Sequence, residues 1–150
     1  MLIRKLASNE EPPMELLLTA DPSQTIVEEY LHRGYCYVAE MDNQIIGVYV
    51  LVETGADTIE LINVAVAEAF TGKGLGKKLV VNAIERAAIK GYKVIEVGTG
   101  NSSIGQLALY QKCGFRIDGV DKDFFLQRYS EDIWENGIQC RDMIRLSQQL

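Results

Sequence analysis

Residues 63–79, NVAVAEAFTGKGLGKKL, pass from an apolar run through glycines at three alternate positions, Gly72, Gly74 and Gly76, into a pair of lysines. From Gly74 to Lys90 the chain keeps a helical period. Leu75, Leu79, Val80, Ala83, Ile84, Ala87 and Ala88 share one face, and Lys77, Lys78, Asn82, Glu85 and Arg86 the other, until Gly91. YKVIEVG (92–98) then has the apolar density of a buried strand. Strand, helix and strand make a β-α-β unit, and a helix of roughly five turns between two strands implies that they lie parallel with a right-handed crossover.

The rest of the chain is read around this unit. MLIRKLA suits a first strand and EPPMELLLTA a helix behind its prolines. DPSQTIVEEYLHRG reads as a second helix, with Asp21 as cap, Pro22 at the first helical position and Gln24 three residues on from the cap. YCYVAEM and QIIGVYVLVET meet at Asp42-Asn43, and TIELINVAVAE comes after the turn GAD, which predicts three consecutive antiparallel strands. SIGQLALYQKCG predicts a short helix stopped by Gly114, FRIDGV a strand, and residues 138–146 a closing strand. At 150 residues, with 47% apolar and no linker or repeat, the chain is expected to form one domain over 1–150.

Charge and cysteine usage exclude several functions. Fifteen Lys and Arg against 21 Asp and Glu give a net charge of −6, the wrong sign for coating nucleic acid. No apolar run approaches the roughly 18–20 residues of a membrane span, and the first residues lack a cleavable apolar segment, so a cytoplasmic protein without a membrane partner is expected. Cys36, Cys113 and Cys140 are odd in number and form no C-x-x-C pair, which argues against a disulfide framework and against a metal site. His32 is the only histidine and sits at a helix end, so a Ser-His-Asp or Cys-His centre is not supported.

A strand, a loop of backbone donors and a helix N-terminus together form an anion site, because the first N–H groups of a helix lack partners and its dipole favours negative charge. A P-loop fails: Thr71 stands at its first glycine position, and Lys78 where the magnesium-binding hydroxyl belongs. The dinucleotide pattern G-x-G-x-x-G also fails, since the three glycines are strictly alternate. A plain tight turn would need only one glycine.

Three pieces in order, VAVAEAFTGKGLGKKL, VIEVGTGN and LALYQKCGF, resemble the acetyl-CoA-binding core of the GNAT acyltransferase superfamily over residues 60–115. The resemblance implies an α/β (α+β) fold: a central mixed, mostly antiparallel sheet with a splayed parallel strand pair and flanking helices. It implies acetyl-CoA as co-substrate, with the amides around Lys73, Gly74, Leu75 and Gly76, and the adjoining Gly72, at the pyrophosphate. Val64 and Val66 would offer backbone to the pantetheine arm as an added strand would. Lys73, Lys77 and Lys78 are candidates for the remaining phosphate. Thr71 stands where the family carries Gln or Arg and so lacks one long donor. Asn101 lies nine positions before Tyr110, about two more than is common in the family, so Ser103 competes with it for the cofactor.

The implied reaction moves an acetyl group directly to a primary amine of a small molecule or peptide. Tyr110 would protonate the departing thiolate, Glu60 would serve as base, and a backbone N–H near Val64 or Ala65, at a strand bulge, would meet the oxyanion. Cys113 has no histidine partner and is expected to pack. The stretch 121–135 gathers Asp121, Asp123, Glu131, Asp132 and Glu135 among Phe124, Phe125, Tyr129 and Trp134, with Lys122 and Arg128 opposing them, which would suit a cationic acceptor. A homodimer stays open. The rival readings are a coenzyme A-binding module without turnover and an interaction protein that keeps only the fold.

Overall fold

The computed structural model describes all 150 residues, Met1–Leu150. In chain order the elements are β1 (Leu2–Lys5), α1 (Met14–Ala20), α2 (Gln24–Arg33), β2 (Tyr35–Met41), β3 (Gln44–Glu53), β4 (Thr58–Val66), α3 (Leu75–Ile89), β5 (Val94–Gly100), α4 (Ile104–Lys112), β6 (Arg116–Asp121), α5 (Phe124–Arg128), β7 (Trp134–Glu135), β8 (Ile138–Gln139) and β9 (Met143–Gln149). Seven strands form one sheet in the order β1-β2-β3-β4-β5-β9-β6. Every pairing is antiparallel except β4 with β5, the two strands that α3 connects.

The meander β2-β3-β4 turns first at Asp42-Asn43, both in the left-handed region (φ 52° and 62°), the conformation that matches the twist of a two-residue hairpin. The two faces of the sheet carry separate apolar clusters. Tyr37, Tyr49, Leu51, Ile59, Leu61, Leu79, Ala83, Val97 and Tyr110 join on the face covered by α3 and α4. Leu17, Val27, Tyr30, Val38, Val48, Val50 and Ala65 join on the face covered by α1 and α2. Strand alternation explains the division: Val48, Val50 and Val52 turn to one face of β3, Tyr49 and Leu51 to the other.

Two sequence expectations are corrected. The cap of α2 is Ser23, whose hydroxyl accepts from the Ile26 N–H at 3.3 Å, so Pro22 precedes the helix. Asp21 instead accepts from the Ser23 N–H (3.1 Å) and the Tyr129 hydroxyl (2.9 Å). The closing strand is 143–149, not 138–146. Asn136 and Gly137, at φ 54° and 73°, fold Ile138–Gln139 back on Trp134–Glu135 as a separate two-stranded hairpin.

Candidate active site

The parallel pairing runs from Thr58↔Val94 to Leu61↔Val97 and stops, although β4 continues to Val66 and β5 to Gly100. Beyond that point β4 stays bonded to β3 and β5 to β9, so each strand is held on its outer side while the inner edges part. The divergence begins at a bulge. Val50 faces Asn63 and Leu51 faces Leu61, leaving Ile62 as the extra residue. The bulge residue therefore lies two to three residues before the Val64–Ala65 position expected for it. It also sets Ile62 and Asn63 toward the same face: Ile62 packs on the α1/α2 cluster, and Asn63 bonds to Leu17 and Tyr30 there.

The parted edges open into a cleft of about 920 Å³. Of the residues read from the sequence, Glu60, Val64, Ala65, Val66, Thr71, Gly72, Gly74, Leu75, Gly76, Ser103 and Tyr110 line it. Gly74 begins α3 at φ 80° and carries no side-chain cap, so the first amides of the helix are left for an outside acceptor. Gly72 has φ 76°, a conformation most side chains resist. Gly76 differs from both: its φ is ordinary, and a Cβ there would meet only Leu109 Cδ2 at 3.6 Å. The fold itself therefore leaves room for a side chain at this position.

Five expected residues stand off the cleft wall or are engaged elsewhere. Lys73, Lys77 and Lys78 do not line the cleft, and the Lys73 ammonium lies 5.6 Å over the Phe70 ring. Thr71 does line it, but its hydroxyl donates to the Glu68 carbonyl at 2.8 Å. Asn101 is turned away from the cleft. Its amide donates to the Gln139 carbonyl (3.1 Å) and accepts from the Arg141 (2.8 Å) and Asp142 (3.0 Å) N–H groups, pinning the approach to β9. Between the two cofactor candidates, Ser103 is thus the one on the cleft wall, where its hydroxyl donates to Glu135 at 2.8 Å.

Tyr110, on α4, is 5% exposed, packs edge-on against Phe115 at 5.9 Å, and has its hydroxyl pKa raised by burial. Glu60, on β4, has a side chain 18% exposed, and burial raises its carboxyl above the ordinary range. Arg145 opposes that rise across a 3.8 Å contact, with Arg33 and Arg128 acting more weakly in the same direction. Cys113 ends α4, partly buried, with its thiol pKa raised by burial, and is not a cleft residue. The acidic stretch divides: Asp132 and Glu135 line the cleft, while Asp121 pairs with Arg145 (2.8 Å) and Asp123 with Arg141 (3.7 Å).

The α1/α2 side of the cleft holds residues that the sequence reading did not single out. Asn63, 3% exposed, donates to the Leu17 carbonyl (3.0 Å) and to the Tyr30 hydroxyl (2.7 Å). Its one sequence signal is a polar residue interrupting the apolar run of β4. Arg33 and Arg145, from α2 and β9, share this region with Arg128 at the end of α5.

The profile described as the acetyltransferase (GNAT) family matches residues 3–115. The chain is similar to Uncharacterized N-acetyltransferase YvbK of Bacillus subtilis (strain 168), 61% identical over 132 residues, 88% of this chain and 85% of that protein. Two solved structures superimpose closely. One is a GNAT family acetyltransferase from Elizabethkingia anophelis with acetyl-CoA bound: TM-score 0.98, 48% identity, 99% of this chain and 97% of that one. The other is a Bacillus subtilis acetyltransferase in complex with CoA: TM-score 0.94, 55% identity, with the same coverage.

Proposed function

The chain belongs to the acetyltransferase (GNAT) family, and from that premise we propose that Glu60 and Tyr110 carry the proton transfers of an amine acetylation performed in the cleft between β4 and β5. The protein is an N-acetyltransferase that uses acetyl-CoA as co-substrate. The single observation that carries the assignment of residues is the end of strand pairing at Leu61/Val97, which opens the sheet beside both side chains.

The residues divide the work by position. The uncapped start of α3, with Gly72, Gly74 and Gly76, offers amides to a diphosphate, and the free edge of Val64–Val66 offers backbone partners to an extended amide chain. Glu60 takes the proton that the acceptor ammonium must lose. Its raised pKa narrows the gap to an amine near 10.4 and makes it a stronger base than a solvated glutamate. The neutral amine attacks the thioester carbonyl carbon, N–H groups of the β4 edge receive the developing oxyanion, and collapse breaks the C–S bond. Tyr110 gives its proton to the departing sulfur, its buried hydroxyl keeping that proton until then, and the surplus proton that the attacking nitrogen sheds as it becomes the amide restores the tyrosine through solvent. The acceptor is a small-molecule or peptide amine. Three unpaired thiols suit an intracellular setting, where acetyl-CoA is supplied.

A coenzyme A-binding module without turnover needs neither an acid nor a base at the splay. Thiol release from acetyl-CoA, measured against a broad amine panel, separates the two readings. Tyr110→Phe should lower kcat by roughly ten- to ten-thousand-fold with little change in acetyl-CoA affinity. An unchanged kcat would remove Tyr110 from the chemistry, and acetyl-CoA binding without thiol release to any amine would favour the module.

A further inference from the structure

Three guanidinium groups, brought from three separate elements, line the same cleft as Glu60: Arg33 at the end of α2, Arg128 at the end of α5 and Arg145 on β9. Two of them have carboxylate partners. Arg145 Nε bonds to Asp121 at 2.8 Å, and Arg33 Nε bonds to Glu29 at 2.7 Å within its own helix. Arg128 has no carboxylate within 4.0 Å; it stacks 5.2 Å over the Phe124 ring, the ring that Arg145 also faces at 5.5 Å. The Phe124 ring thus backs a guanidinium fork that has no carboxylate partner.

The acids that line the cleft are Asp21, Glu60, Asp132 and Glu135, and none of them lies within 4.0 Å of Arg128. Asp21 accepts from Tyr129 and Ser23, Glu135 accepts from the Ser102 and Ser103 hydroxyls at the cofactor end, and Glu60 lies 3.8 Å from Arg145. Asn63, three residues on from Glu60 along β4 and also a lining residue of the cleft, has an Oδ1 that is buried and accepts no hydrogen bond. The amide cannot be reversed, because the Leu17 carbonyl it bonds to can only accept. This side of the cleft therefore offers an unfilled acceptor for an N–H group and an unfilled donor fork for an anion.

We infer that the acetyl acceptor is an amine bearing an anionic group, a carboxylate or a phosphate, with Arg128 gripping the anion, Arg33 and Arg145 flanking it, and Asn63 Oδ1 accepting from the amine end. The inference deepens the acetyl-transfer reading and rests on it. An acceptor without an anionic group would leave the Arg128 guanidinium without a charged partner. An amino acid or an amino phosphate matches both ends, and Arg–carboxylate and Arg–phosphate pairs form two parallel bonds.

The test uses matched acceptors with acetyl-CoA: L-amino acids, their carboxamides, the corresponding decarboxylated amines, and phosphoethanolamine. The anionic members should be acetylated with kcat/KM at least about ten-fold above the neutral ones. Arg128→Gln should raise KM for the anionic acceptors about ten- to a hundred-fold, leave kcat nearly unchanged, and leave KM for the neutral amines in place. Arg128→Lys should recover part of the loss, since it keeps the charge and loses the fork. Amino acids against phosphoethanolamine decide which anion is read. A second measurement is independent of turnover: N-acetyl-amino acids titrated into the CoA-loaded protein should bind more tightly than their carboxamides, and Arg128→Gln should remove the difference. Equal use of neutral and anionic acceptors, or equal binding of the two product series, overturns the inference. Preferential binding of the anionic products without any thiol release would keep it and overturn the roles given to Glu60 and Tyr110.

Discussion

Glu60 is where burial and charge are most nearly in conflict. Taking its carboxyl out of water raises the pKa, and Arg145 at 3.8 Å draws it back down by less. As a base it works only when ionised, so kcat/KM should fall as pH drops through its pKa, with an acidic limb above the ordinary carboxylate value of 4.5. Glu60→Gln should remove that limb along with most of the activity toward amines of high pKa, and pH–rate profiles of the two proteins check it; an acidic limb that survives the substitution assigns the proton to another group. The stability effect has the opposite sense to that of a salt-bridged carboxylate. The folded state binds this proton more tightly than the unfolded chain does, so Glu60 favours folding increasingly as pH falls through its raised value toward the unfolded one. Glu60, Tyr110, Gly74, Gly76 and the strand residues Val64–Val66, named from the resemblance, all line the cleft, since each belongs to the local β-α-β unit or to the helix that follows it. From the sequence Arg128 is legible only as a charge opposing the acidic stretch, and Arg33 and Arg145 are not legible as site residues at all, because only the tertiary fold brings residues so far apart in sequence to one cleft.

At the scale of elements, periodicity located the β-α-β unit, the three-stranded meander and α4, where one face of each strand or helix is buried and the pattern is therefore enforced. It failed in the last thirty residues. Ile138, Cys140, Ile144 and Leu146 read as one strand, but Asn136-Gly137 is itself a hairpin signal, and it ends that register by folding Ile138–Gln139 onto Trp134–Glu135. The cap of α2 failed for a related reason: Asp21 and Ser23 are both good caps, and Asp21 is occupied by the distant Tyr129. Asn101 shows how a motif residue can be structural. With three hydrogen bonds to residues 139, 141 and 142 it fastens the chain between β8 and β9. Asn101→Ala should cost roughly 1–3 kcal/mol of stability and leave the acetyl-CoA dissociation constant within about three-fold of the parent. Thermal melts with parallel cofactor titration distinguish this from a cofactor contact, which would weaken binding at unchanged stability.

For the whole molecule, one sheet with an apolar cluster on each face separates two tasks. The α3/α4 face builds the wall that carries Tyr110 and the glycine junction, and the α1/α2 face builds the wall with Asn63, Tyr30 and Arg33; the splay of β4 and β5 joins them. No helix is long and apolar enough to cross a membrane, and no cluster of His, Cys, Asp or Glu is arranged to hold a metal. The central claim is that this splay and the glycines at its mouth exist to let coenzyme A approach backbone closely. Gly76 tests it most directly, because the fold has room for a side chain there, with only Leu109 Cδ2 at 3.6 Å. Calorimetric titration of Gly76→Val with acetyl-CoA, beside a thermal melt of the same protein, should show a melting temperature close to the parent's and no measurable acetyl-CoA binding. A folded Gly76→Val protein that binds acetyl-CoA as tightly as the parent would contradict the account.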